Sequence, residues 1–181
     1  HLQDLLRHRF FYRLDRVERP LCTALNALSQ IPSVHKTFVV FSKLGDGPFW
    51  VLLMIAIGLT TPDAGNLPVV LIGASLFNLV VYKLMKGQTL RNRPCTTWEA
   101  INPGTPALDH YSFPSGHTLH AVTITLLCLS TLPLLGAFLV PIMVMIAVSR
   151  VILGLHYPSD VLVASGIGYC VAVIADHFVL L

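Results

Sequence analysis

The chain has 181 residues, of which 54% are hydrophobic and 12% charged, with a mean hydropathy of +0.71, whereas soluble domains carry roughly a quarter charged residues. The formal net charge of +3, with no Lys/Arg block interleaved with aromatics, gives no nucleic-acid-binding stripe. Cys22, Cys95, Cys128 and Cys170 are scattered without a C-x-x-C pair, so neither a disulfide framework nor a zinc site is expected.

A bilayer core requires about 20 mostly apolar residues per helix, which sets the template for reading the chain in order. Residues 1–19 hold Arg7, Arg9, Arg13, Arg16 and Arg19 beside aromatic and leucine residues, the composition of a basic amphipathic helix at a membrane surface or of a solvated tail. Residues 20–181 are expected to form one membrane domain, because the apolar runs leave too little polar sequence for a second. Residues 19–41 are ambiguous: Leu21, Leu25, Leu28 and Ile31 share a helical stripe that Asn26, Ser29, Gln30 and His35 interrupt, giving either a poor span or an interfacial helix. Clearer spans follow over 49–61 with its flanks and over 67–84, joined by the turn Thr61-Pro62-Asp63-Ala64-Gly65. Residues 115–155 lack a charged side chain before Arg150, and Pro133 with Gly136 marks a break, so two helices are expected there. A last span covers 159–181. No signal-peptide pattern is visible, and insertion is expected to come from the spans themselves.

The fold expected is therefore an all-α polytopic transmembrane bundle of six helices, five of them clear and one weak and N-terminal, with an amphipathic N-terminal helix. Counting through the clear spans places the loop 86–114 and the loop 156–159 on one face of the membrane. The turns at Thr61 and Pro133 fall on the other.

Three polar clusters then converge on that face. Lys86, Arg91 and Arg93 crowd together with no acid nearby in sequence until Glu99. Arg offers a planar fork and Lys a point charge to phosphoester oxygens, although headgroup anchoring is the plain alternative. Phe113-Pro114-Ser115-Gly116-His117 opens a span, and the free N–H groups there make an anion site with His117 at its mouth. His117 and His120 have H-x-x-H spacing, but no third ligand follows and the cationic neighbours oppose a metal ion, so none is expected. In the third cluster, Arg150 closes a span, and His156 stands four residues before Asp160. That spacing lets the carboxylate hold one ring nitrogen and leave the other lone pair free, as an activated nucleophile requires.

In this order, K-x6-R-P, P-S-G-H and S-R-x5-H-x3-D resemble the three-part signature of the type 2 phosphatidic acid phosphatase superfamily, and all three parts are complete. The resemblance implies His156 as nucleophile forming a phosphohistidine and Asp160 as the acid that holds it. His117 would be the general acid and then base. Lys86, Arg93, Arg150, Ser115 and the Gly116 N–H would bind the phosphoryl oxygens. Asp109, His110 and Tyr111 would have no more than a rim role. No cofactor is implied. The substrate would be a lipid phosphate or diphosphate, with undecaprenyl diphosphate the first choice and phosphatidate, phosphatidylglycerophosphate or lipid A next. A lipid phosphotransferase and a non-catalytic lipid-binding protein are the readings of other kinds. Membrane lipids are the remaining partners, and oligomeric state is left open. Sidedness depends on residues 19–41: if they span, the arginines lie opposite the motifs, and if not, all basic residues share one face. The resemblance favours six helices and a site facing the periplasm from a bacterial inner membrane.

Overall fold

The computed structural model describes residues 2–107 and 109–179, and the side chains from residue 9 onward within them. Among these residues only helices form, beside one isolated bridge between Asn92 and Tyr111. The order is α1 (Leu2–Leu28), α2 (Pro32–Leu44), α3 (Gly47–Thr60), α4 (Leu67–Thr89), the single turn α5 (Pro94–Thr97), α6 (Gly116–Thr131), α7 (Pro133–Ile152) and α8 (Pro158–Asp176). Prolines set most of these starts. Pro32, Pro48, Pro68, Pro94, Pro133 and Pro158 each stand within the first two helical positions, where a missing N–H costs nothing. The expected break inside 115–155 falls at Leu132, one residue before Pro133. Helix α4 runs to Thr89 rather than ending near residue 84, which puts Lys86 in its last turn instead of beyond it.

Helix α6 is the central element, packed against α4, α7 and α8. Its Leu119, Ala121, Ile124, Leu127 and Cys128 are fully buried. Close helix approach comes from small residues, as membrane packing favours. A Cβ on Gly136 of α7 would fall 2.2 Å from Leu129 Cα, and one on Gly168 of α8 would fall 2.9 Å from the Leu119 carbonyl oxygen. The outer surface is apolar: Leu59 is 80% exposed and Leu134 90%, with Leu52, Ile72, Phe138, Leu162 and Ile174 also outward. Such a belt would be an aggregation liability in water and is the expected covering of helices solvated by acyl chains. The chain is an integral membrane protein on this ground.

By length and hydropathy α4, α7 and α8 each suffice to cross a bilayer, and α2 with α3 pass as a pair bent by 55°. Helix α6, at 16 residues, falls short of the length that marks these spans, and α1 is outside the set, so among the described residues length and hydropathy mark up to four spans and do not by themselves reach the six expected. The weak N-terminal span is corrected by its tethers. Asp15 and Glu18 bond to Arg91 at 2.7 Å, Glu18 caps Ser159 N at 2.7 Å, and Asn26 donates to the Ile152 carbonyl at 2.9 Å. Further on, Ser42 accepts a hydrogen bond from Arg150. Residues 15–42 thus begin and end at one end of the bundle, the C-terminal end of α7, so residues 19–41 add no crossing.

Candidate active site

That same end collects the polar ends of the helices. Lys86 closes α4, Arg150 lies in the last turn of α7, Gly116 and His117 open α6, and Asp160 sits in the first turn of α8. His156 lies in the turn between α7 and α8. Gly154 shapes this turn with φ +70°, and a Cβ there would meet Ile101 Cγ2 at 2.7 Å. Only glycine fits such a position without strain. The turn is fixed by bonds from Cys95 N to the Gly154 carbonyl at 3.1 Å and from Gly104 N to the Leu153 carbonyl at 3.0 Å.

A cavity of about 660 Å³ opens at this end, and Lys86, Arg93, Gly116, His117, Arg150 and His156 all line it. Residues spread from position 86 to 156 therefore meet on one wall system, as span parity leads one to expect. The cavity continues between α3 and α4 past Trp50, Val51, Met54, Leu76 and Leu79. One end of the space is cationic and the other apolar.

His156 is buried and flanked on both sides. Arg93 Nη1 stands 3.2 Å from its Nε2. A guanidinium only donates, so Nε2 must accept and the ring proton belongs on Nδ1. Nδ1 faces Asp160 Oδ2 at 3.5 Å, longer than a formed hydrogen bond, and has no hydrogen-bond partner among the described residues. Burial, with the cations Arg93, Arg150 and Lys86 around it, holds the His156 ring well below the usual histidine range. Its lone pair is free of a proton at neutral pH.

Asp160 itself is fully buried, with Oδ1 accepting from Arg91 Nη1 at 2.5 Å and Oδ2 from Tyr157 N at 2.8 Å. Arg91 is off the cavity. It faces away, bonded also to Asp15, Glu18 and Ser159 and stacked 4.0 Å from the Tyr157 ring. Burial alone would lower its basicity, but Asp160 and Asp15, with Glu18, raise it above the usual range. The reading of three cations without a nearby acid is therefore corrected: Arg91 is neutralised by carboxylates 69 to 76 residues distant in sequence. Ser115 also lies off the cavity, fully buried, and its hydroxyl caps α6 toward Thr118. His120 has Nδ1 3.0 Å from the Gly116 carbonyl oxygen and Nε2 3.1 Å from that of Ser75.

Two acids were not foreseen in these positions. Asp46, in the break between α2 and α3, lies 2.8 Å from His117 Nε2. It is the one acid between Glu18 and Asp63, and an acid at the head of an apolar run is itself a signal. Asp109, given only a rim role, bonds Lys86 at 2.6 Å and Arg93 at 2.6 Å. Burial pushes its carboxyl up, yet Lys86 and Arg93 outweigh this and hold it below the usual carboxylate range. Arg150 Nε is buried without a partner among the described residues, a donor suited to an incoming anion. Among the described residues, no group of three or more His, Cys, Asp or Glu side chains is arranged to hold a metal ion.

The chain is similar to several known proteins. A decaprenylphosphoryl-5-phosphoribose phosphatase of Mycobacterium tuberculosis is 41% identical over 95 residues, 51% of this chain and 50% of its own length. Phosphatidylglycerophosphatase B of Haemophilus influenzae is 38% identical over 96 residues, 43% of this chain and 40% of its own. The chain thus matches about half, or less, of the length of these curated relatives. The crystal structure of LpxE from Aquifex aeolicus superposes with a TM-score of 0.77 at 27% identity, covering 88% of this chain and 94% of that one. The sequence profile of the PAP2 superfamily matches residues 65–180, from α4 to α8 and including every motif residue, while Asp15, Glu18 and Asp46 lie before it. Motifs, helix layout and profile agree, and the chain belongs to the PAP2 superfamily.

Proposed function

We propose that this protein hydrolyses the terminal phosphate of a lipid through a phosphohistidine. The observation that carries the reading is the two-part cavity, with Lys86, Arg93, Arg150, His117 and His156 at one end and an apolar passage between α3 and α4 at the other. In the first step His156 Nε2 forms a bond to phosphorus as the ester oxygen leaves with a proton from His117. In the second step His117 takes a proton from water, the water oxygen bonds phosphorus, and the P–N bond breaks. Arg93, Lys86, Arg150 and the Gly116 N–H neutralise the phosphoryl charge, the main demand of this chemistry. Asp160 keeps the ring proton on Nδ1, and Asp46 gives protonated His117 an anionic partner at 2.8 Å. Ser115, capping α6, aims its N-terminus at the site. The Mycobacterium tuberculosis relative acts on a decaprenyl-linked phosphate, which favours a polyprenyl substrate, undecaprenyl diphosphate being the first to test. The Haemophilus influenzae relative makes phosphatidylglycerophosphate the second. Phosphate release from both in detergent, with and without chelator, tests substrate and metal independence together. Loss of turnover with chelator would overturn the metal-free mechanism, and transfer of phosphate to an added lipid alcohol in place of water would make the protein a phosphotransferase.

Gly45 adjoins His117: a Cβ there would fall 2.6 Å from His117 Cδ2 and 3.0 Å from Ile146 Cγ2. Gly45→Ala is expected to displace the ring and lower kcat by roughly tenfold or more while the protein stays folded. Unchanged kcat would show that this placement of His117 is immaterial.

Sidedness changes with the tethers of α1. All 12 Lys and Arg fall at residues 7–43, 83–93 and 150, in stretches that the contacts of Asp15, Glu18, Asn26 and Ser42 associate with the site end. The opposite end, around residues 61–66 and 176–179, has Asp63 and Asp176 and no Lys or Arg. The positive-inside rule then supports a cytoplasmic site in place of the periplasmic one expected from the resemblance. Helix α1 would lie along that interface, Arg9, Arg13 and Arg16 toward headgroups. Cysteine placed at Pro106 is expected to react with an impermeant maleimide only after cell disruption, and labelling of intact cells would restore the periplasmic assignment.

A further inference from the structure

The acid at the cavity mouth bears on which headgroups can enter, given the phosphate reading above. Asp109 is held by both Lys86 and Arg93. Its carboxylate accepts from Lys86 Nζ at 2.6 and 2.8 Å and from Arg93 Nη2 at 2.6 Å, and its carbonyl oxygen accepts from Arg93 Nε at 3.0 Å. The two cation side chains are 10% and 3% exposed, whereas that of Asp109 is 39% exposed. The cations are therefore fixed in the wall, while the carboxylate is the partner with an open route to water. Carboxylate and phosphoryl oxygens compete for the same N–H donors, each able to present two oxygens to one guanidinium fork. A headgroup that uses Lys86 and Arg93 must first release Asp109.

We infer that Asp109 is a specificity-determining residue, an internal anion that sets the minimum charge a headgroup needs to occupy the site. A singly charged phosphodiester that replaces the carboxylate exchanges one negative charge for another and gains nothing from Lys86 and Arg93. A terminal phosphoryl group with two charges brings one more, beside Arg150 whose Nε is still unpaired, and gains the difference. The bilayer surrounds the cavity with phosphodiester headgroups in large excess, each a competitor for a cationic pocket. Asp109 keeps them out by making their entry neutral at best, a repulsive element of the kind that specificity commonly needs.

The test is binding to the purified protein in detergent, by calorimetry, of methylphosphonate in mildly alkaline buffer, where it carries two charges, and of its monomethyl ester, which carries one. Neither is hydrolysed, so failure to dephosphorylate any lipid would refute the phosphatase reading and leave this measurement intact. Wild type is expected to bind methylphosphonate and to show no binding of the ester. In Asp109→Asn, which keeps the size of the side chain on an exposed loop, both ligands are expected to bind roughly tenfold tighter or more, bringing the ester into range. Equal or weaker binding of both by the Asn variant would overturn the inference, since Asp109 would then be positioning Lys86 and Arg93 for the ligand rather than competing with it. Binding of the ester by wild type as tightly as methylphosphonate would overturn it equally.

Discussion

His156→Ala is expected to lower phosphate release by about ten-thousand-fold or more, and His117→Ala by roughly a hundred- to ten-thousand-fold. The two losses differ in kind. Without His156 there is no atom to accept the phosphoryl group, and nothing else on the cavity wall replaces Nε2 at 3.2 Å from Arg93. Without His117 the first transfer still proceeds to leaving groups that need no proton, such as a nitrophenolate, while attack by water lacks its base. An activated aryl phosphate should therefore give a burst of phenolate in His117→Ala that His156→Ala lacks. The lowered proton affinity of His156 also sets a sign. Its folded pKa is depressed, so the nucleophile is lost only as pH falls through that lowered value, and the burst rate should stay level down through the ordinary histidine range near 6.5. Activity surviving in His156→Ala, or a burst that declines at the usual histidine pKa, would contradict this assignment.

Arg91→Ala is expected to be among the most destabilising single changes away from the cavity. The Arg91 side chain is fully buried and bonded to Asp15, Glu18 and Asp160, and its removal leaves three carboxylates in the interior without a cation. Breaking a buried pair in this way costs about 3 to 5 kcal/mol, which for a chain of this size is a fall in Tm of roughly 10 °C. Turnover should fall as well, because Asp160 loses the partner of Oδ1 while it faces His156 through Oδ2. Arg91→Lys keeps the charge but not the fork that reaches three acids, and is expected to recover part of the stability. Thermal unfolding in detergent, run beside Asp15→Asn, checks the point; an unaltered Tm in Arg91→Ala would show that the network is not needed.

These residues also mark where the sequence could be read and where it could not. Lys86, Arg93, His117, Arg150 and His156 share one cavity because span parity, set by hydropathy alone, returns the chain to the same end of the bundle. Arg91 and Arg93 look equivalent in a count of cations. They are not, since Asn92 between them is in a bridge to Tyr111 and Arg93 is extended. Arg93 is on the cavity, while Arg91 is directed to α1. No local pattern says which. The N-terminal arginines drew attention to the basic face of α1, yet Asp15 and Glu18 on its buried face make the contacts that fix its position. Reading those two acids as an i, i+3 pair seeking a buried cation would have tied α1 to the site end and removed the sixth span. Asp46 depends on the 55° bend between α2 and α3, a tertiary feature for which Gly45, Gly47 and Pro48 are only a hint.

Covalent transfer to His156 is tested most directly by rapid acid-free quenching of the His117→Ala variant after mixing with a phosphate-labelled nitrophenyl phosphate. The expected result is an alkali-stable, acid-labile label on the peptide containing His156, approaching one phosphate per chain and absent when His156 is also replaced. Substrate turned over with no label on that peptide, or with label on another residue, would contradict it.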